Sequence, residues 1–299
     1  MQPNTHHTHL DRVLFGDNQF FGVNHASDDK SRAQAMRFKD DQSIIRVLDQ
    51  AYEAGVRTFM CTTHDRIANI CNHMRAHPDR YRGFKIFPCM PYAHKYANAV
   101  TELGIMGTIN QYVPGTLFGT FAKGGMAVVR GNYSKLMQIL IDAEMKMFDK
   151  IDTPVIFIQN VLVDMILGLG MYEVFKDYDA YIREKYNVEP GYITMNMPDL
   201  LDALESVGIY NPIICASINK SGFRMSGGIE RNEMYLREKT FRPIAMQTLA
   251  AGALRPKEAF AYLGQFPRIE SVLFGSGSKQ HIAENIHMIE ENFPVAQEV

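Results

Sequence analysis

A chain of 299 residues is long enough for one large single-core domain, and α/β barrels of about 250 residues are ordinary. A hydrophobic fraction of 46% and a charged fraction of 21% exclude a fibrous or disordered chain. A net charge of −2 gives no general attraction to nucleic acid or to anionic membranes. The N-terminus is polar and no apolar run approaches bilayer length, so the expectation is a cytoplasmic protein acting on a small molecule. Cys61, Cys71, Cys89 and Cys215 have no C-x-x-C spacing, and three of them stand in apolar runs, as buried reduced thiols would.

Residues 1–11 read as a polar tail, after which short apolar runs alternate with segments of helical period. The first run, Arg12–Gly16, leads into a long loop over residues 20–40, and a helix is predicted over Asp41–Ala54 with an acidic cap and Gly55 at its end. Thr58–Thr62 is followed by a helix over Asp65–Ala76, and Lys85–Met90 by one over Ala93–Leu103. A Gly-rich loop over residues 105–132 then leads to a helix over Tyr133–Phe148. The remaining pairs are Val155–Gln159 with Met171–Lys185, Tyr192–Asn196 with Pro198–Ser206, Ile213–Ile218 with Glu230–Lys239, Pro243–Gln247 with Pro256–Leu263, and Ser271–Phe274 with Ser278–Asn292. Continuous short apolar runs suit strands buried on both faces. Eight β-α units without a composition break predict one TIM (β/α)8 barrel over residues 1–299, with residues 20–40 and 105–132 as candidate lids or binding loops.

Barrel chemistry sits where strands end, so the polar residues there are the candidates. Asp17-Asn18-Gln19 follows the first strand, with Phe20 and Phe21 able to form an apolar wall; the alternative is a simple turn. His64 and Asp65 follow the second and are able to move a proton near neutral pH, unless Asp65 only caps its helix; Thr63 could serve as that cap. His94 and Lys95 follow the third, Gln159 and Asn160 the fourth, and all four are candidates for orienting a substrate. Lys220, after the sixth strand, would be nucleophilic if desolvated and otherwise an exposed loop residue, and Arg224 four positions on is a candidate anion contact. After the last two strands, Gln247 to Gly252 and Gly275-Ser276-Gly277-Ser278 form glycine-containing turns before helices, a pattern that cradles phosphate. His7-Thr8-His9-Leu10-Asp11 resembles the metal-binding first strand of amidohydrolase barrels, but its strand comes after the motif and later strand ends lack histidines, so no metal is expected.

In order along the chain these features resemble the aldo-keto reductase family. Ala245–Leu254 is similar to that family's seventh-strand motif, and Gly275-Ser276-Gly277-Ser278 with Glu284-Asn285 to its eighth-strand motif; Gly55–Phe59 and Asn196 also fall at family positions. The resemblance implies NADP(H) as cofactor, held by Asn196, Gln247, Leu249, Gly252, Gly275 to Ser278, His281, Glu284 and Asn285. The four catalytic residues of the family are not retained. Met60 stands for its aspartate, Asp65 beside His64 for its tyrosine, Cys89 and Met90 for its lysine, and Gln159-Asn160 for its histidine. Three functions follow as expectations: an NADP(H)-dependent carbonyl reductase of a small polar or anionic metabolite with Asp17, His64, Asp65 or Lys220 as its acid–base set; a non-redox lyase or isomerase using His64/Asp65 or Lys220; and an inactive binding protein.

Overall fold

In a computed structural model, residues 7–22, 28–92 and 133–293 are described. Their eight strands close into one parallel barrel in sequence order, β1 Val13–Gly16, β2 Thr58–Thr62, β3 Lys85–Met90, β4 Val155–Ile158, β5 Glu189–Thr194, β6 Ile213–Ser217, β7 Arg242–Met246 and β8 Ser271–Phe274. Around it lie α1 Asp28–Arg37, α2 Asp41–Glu53, α3 Asp65–Ala76, α4 Tyr133–Met145, α5 Asn160–Gly168, α6 Glu173–Tyr186, α7 Met197–Ser206, α8 Gly228–Glu238, α9 Pro256–Leu263 and α10 Lys279–Asn292. The expected helix over Ala93–Leu103, the loop over residues 105–132 and the candidates His94 and Lys95 lie outside the described residues.

The strands are apolar throughout because both of their faces are buried. Alternate residues turn inward, and Leu14, Met60, Phe87, Phe157, Ile193, Cys215 and Ile244 fill the barrel interior. Their neighbours, among them Phe15, Phe59, Ile86, Ile156, Tyr192, Ile214 and Val272, pack outward under the helices. Gly191 on β5 leaves room for the ring of Phe157, which stands 2.4 Å from where a β-carbon would be.

Several expectations shift. β5 runs from Glu189 to Thr194, beginning three residues and ending two residues earlier than the apolar run suggested. The loop after β1 contains a helix, α1, and α5 follows β4 directly; α5 is apolar almost all round and so carries no amphipathic period. Asp40, not Asp41, caps α2, its carboxylate accepting from Ser43 N–H at 2.8 Å. All four cysteines are buried and free.

Residues 7–11 are not a loose tail. Leu10 enters the bottom of the barrel interior, and Thr8 pairs by its backbone with Glu189 (2.7 Å) and Arg242 (2.6 Å). Arg242, at the start of β7, also reaches Glu189 at 3.1 Å and Glu270 at 2.9 Å, while Asp11 holds Lys85 at 3.3 Å and accepts from Thr58. His7 and His9 lie against Glu189 and Asp11, at 3.7 and 3.8 Å. Among the described residues no group of three His, Cys, Asp or Glu side chains gathers as a metal site would, and no helix is long and apolar enough to cross a membrane.

Candidate active site

The strand ends open onto a cavity of about 610 Å³ lined by residues from seven of the eight strands and by Gln159 and Asn160 just after β4. β1 ends at Gly16, and the chain turns through a short 3-10 segment, Asn18–Phe21, that sets three polar side chains at the mouth. Asp17 is buried, and Thr62 at the end of β2 donates to its Oδ2 twice, from the backbone at 2.8 Å and the hydroxyl at 2.7 Å. Burial raises the Asp17 carboxyl above the ordinary carboxylate range, while the Thr62 bonds pull the other way. Gln19 donates to the Gly16 carbonyl at 2.8 Å and lies so close to Gly275 that any side chain there would collide with it. The two aromatics divide their work: Phe20 packs in the core against Phe15, Phe38 and Phe59, and Phe21 lines the cavity.

Tyr92, just past β3, is a lining residue that sequence reasoning missed. It follows a strand end as the other candidates do, two positions before His94. Its backbone N–H donates to the buried carboxylate of Glu144 at 3.0 Å, and Thr63 donates to the same group at 2.6 Å. Thr63 therefore does not cap α3. Burial, and then the nearby Asp17, raise the Tyr92 phenol, so it stays protonated through neutral pH. Burial also holds the Cys89 thiol in the wall well above its usual value, which leaves no thiolate to act.

His64 is itself the cap of α3: its Nδ1 accepts from Arg66 N–H at 3.2 Å, and its ring stacks on Phe21 at 4.2 Å. Neither it nor the exposed Asp65 is among the lining residues. Lys220 is not desolvated either. It stands on a tight turn closed by Asn219, whose Oδ1 accepts from Phe223 N–H at 2.9 Å, and its ammonium meets Glu258 at 2.6 Å on the surface. Arg224 does reach the cavity, exposed at its edge and in a left-handed conformation, φ 54°.

Asn18, Gln159 and Asn160 line the cavity, joined by Gln34 from α1, which no sequence signal pointed to. Gln34 Oε1 is buried with no hydrogen-bond partner among the described residues. Asn196 turns aside, donating to Asp199 at 2.8 Å. On the far wall Gln247, Leu249 and Gly252 line the cavity, and Gln247 Oε1 accepts from the Ser217 hydroxyl at 2.9 Å. Gln247, Ala250 and Ala251 all have left-handed backbones, φ 53°, 46° and 57°, a cluster of strain of the kind that functional turns hold.

Of the β8 cradle only Gly275 faces the cavity. Ser278 caps α10 by accepting from His281 N–H at 3.5 Å, and Ser276 Oγ takes the Ser278 N–H at 3.2 Å. Phe38 and Arg37 pack onto Gly277, and the Arg37 guanidinium donates to its carbonyl. His281 and Glu284 are exposed on α10, and Asn285 is buried in its packed face.

No protein-family model matches the chain, and no curated protein does. Solved structures do. An aldo-keto reductase from Klebsiella pneumoniae in complex with NADPH superposes with a TM-score of 0.53 at 10% identity, over 94% of this chain and 86% of that one. One from Brucella melitensis gives 0.53 at 10%, over 95% and 90%, and a Giardia lamblia aldose reductase gives 0.51 at 10%, over 93% and 87%. At such identities the likeness is one of architecture: the chain folds as a (β/α)8 barrel of the kind those reductases have.

Proposed function

We propose that the protein is an aldo-keto-reductase-like enzyme that reduces a carbonyl group of a small polar metabolite with NADP(H), using Asp17 in place of the family's proton-donating set. The observation that carries this is the placement of Asp17: a buried carboxyl in the cavity wall, held by two Thr62 bonds on one oxygen, with the Tyr92 phenol in electrostatic reach. Reduction needs a proton delivered to the carbonyl oxygen, and a carboxyl raised by burial stays protonated to higher pH than a solvated one. Tyr92 keeps its proton and donates a hydrogen bond that orients that oxygen.

When bound, NADPH would supply the hydride to the carbonyl carbon. The donor set suits such a ligand. The strained strip Gln247 to Gly252 faces the cavity, and the α10 N-terminus with the Arg37 guanidinium offers N–H groups and a positive charge for a phosphate. The NADPH bound by the Klebsiella pneumoniae enzyme of the same fold supports the same reading.

Titrating the protein with NADPH and NADH, followed by nucleotide fluorescence, tests the cofactor directly. Micromolar binding is expected, and no binding of either nucleotide at high micromolar concentration would sink the reductase reading. Asp17→Asn should then lower kcat by about a hundredfold or more, the usual contribution of a positioned proton donor. A second reading, a non-redox lyase or isomerase, is favoured by Met60 where the family's aspartate stands and by the absence of lysine among the described lining residues. It predicts Asp17-dependent turnover with no nucleotide present.

A further inference from the structure

We propose that Thr62 is a positioning residue for Asp17: by filling both lone pairs of Oδ2 it leaves the acid proton of Asp17 on Oδ1, the oxygen from which a ligand in the cavity would take it. This deepens the reading above and rests on it for the use of Asp17 as the reacting carboxyl. The placement of the proton itself needs neither nucleotide nor substrate.

Thr62 ends β2, two residues on from the inward-facing Met60 and so on the same face. Its β-branched side chain has few rotamers, and its hydroxyl and backbone N–H converge on one atom, Asp17 Oδ2, at 2.7 and 2.8 Å. Asp17 stands where a helix cap stands, just before the 3-10 segment, yet its side chain caps nothing there. The turn is closed by the backbone instead, Phe20 N–H donating to the Asp17 carbonyl at 2.8 Å. The carboxyl is thus diverted from its usual local role to Thr62. No other described residue donates to Oδ1.

A neutral carboxyl has one O–H, and two arrangements are open to it. With the proton on Oδ1, Oδ2 is a carbonyl oxygen whose two lone pairs take the two Thr62 donors, and the remaining O–H is the one offered to a ligand. With the proton on Oδ2, that O–H would donate to Thr62 Oγ. The Thr62 hydroxyl hydrogen would then have no acceptor among the described residues, and a donor orphaned in a buried wall is costly. The first arrangement pairs every Thr62 donor and is the one favoured. The titratable groups around the carboxyl are Cys61 on β2, Cys89 on β3 and Tyr92. Burial, ahead of the Asp17 charge, raises all three, so each keeps its proton at neutral pH. Arg224, the sole cation among the described lining residues, is exposed at the cavity edge.

The experiment follows the side-chain carboxyl carbon of Asp17 by carbon NMR against pH, on the full chain without nucleotide, the resonance being identified by its loss in Asp17→Asn. Thr62→Val removes the hydroxyl and keeps the shape. Where Oδ2 accepts from that hydroxyl, the bond favours the carboxylate, so its loss should raise the titration midpoint by about one pH unit, the worth of one hydrogen bond to a charged group. Thr62→Ala should act in the same direction, and Thr62→Ser should restore the wild-type midpoint. A midpoint that falls in Thr62→Val would put the proton on Oδ2, donating to Thr62, and overturn the proposal. An unchanged midpoint, or a Thr62→Ser variant that fails to restore it, would overturn it as well. A parallel NADPH titration separates the two ideas. The expected midpoints without nucleotide binding would remove the reductase reading and keep this one, and NADPH binding with a midpoint that falls or stays still would do the opposite.

Discussion

The two ends of the barrel use polar residues in opposite ways. At the floor the buried charges are answered: Arg242 is shared by Glu189, Glu270 and the Thr8 carbonyl, and Asp11 by Lys85 and Thr58. At the mouth, among the described residues, Asp17 is buried without a cation beside it, Gln34 Oε1 lacks a partner, and the turn after β7 holds Gln247, Ala250 and Ala251 in left-handed backbone. Groups that only hold a fold together are satisfied within it. Groups left unsatisfied or strained, at a stability cost, are those a ligand completes.

The sharpest way to break this contrast is to damage the floor. Arg242→Ala leaves Glu189 buried beside an unfilled site, and a loss of about 3 to 5 kcal/mol is expected in urea unfolding. The cavity itself should keep its ligand affinity wherever the variant is folded. Next, Gly191→Ala drives a methyl into the Phe157 ring and should cost about 1 to 3 kcal/mol by the same measurement. An equal or higher midpoint would show that the interior is looser than described.

At the mouth the sign reverses. Ala251→Gly removes a left-handed strain of about 1 to 2 kcal/mol against a glycine entropy cost of about 0.5 to 1, so the variant should be more stable by about 0.5 to 1 kcal/mol. A drop in thermal midpoint would show that the turn is held for packing and not for function. The subtlest effect is a pH slope. Asp17 has a folded pKa above its ordinary value of 3.8, so its favourable contribution is complete at lower pH and is lost as pH rises through the raised value. Asp17→Asn should therefore gain stability relative to wild type on going from pH 4 to pH 8. A difference that stays flat or falls would mean that Asp17 is not held neutral by burial.

Much of the barrel was legible in the chain. β2, β3 and β8 fall where continuous apolar runs predicted them, since burial on both faces is written residue by residue. Asp17, Asn18 and Gln19 were legible as polar groups at a strand end, and they do meet in the cavity. Gln34 and Arg37 were not, because their roles depend on where a helix inserted after β1 comes to rest. Lys220 and His64 had the right chemistry at plausible positions, but partners distant in sequence or packing, Glu258 and Phe21, decide what each does. The floor was invisible for the same reason: Thr8 and Arg242 are 234 positions apart.

With Leu10, Leu14, Phe87 and Phe157 packed along the barrel axis, the mouth cavity has no way through to the floor. A molecule that enters between the strand ends must leave by the same opening, so two ligands sharing the mouth are released in the reverse order of their arrival, the outer one first.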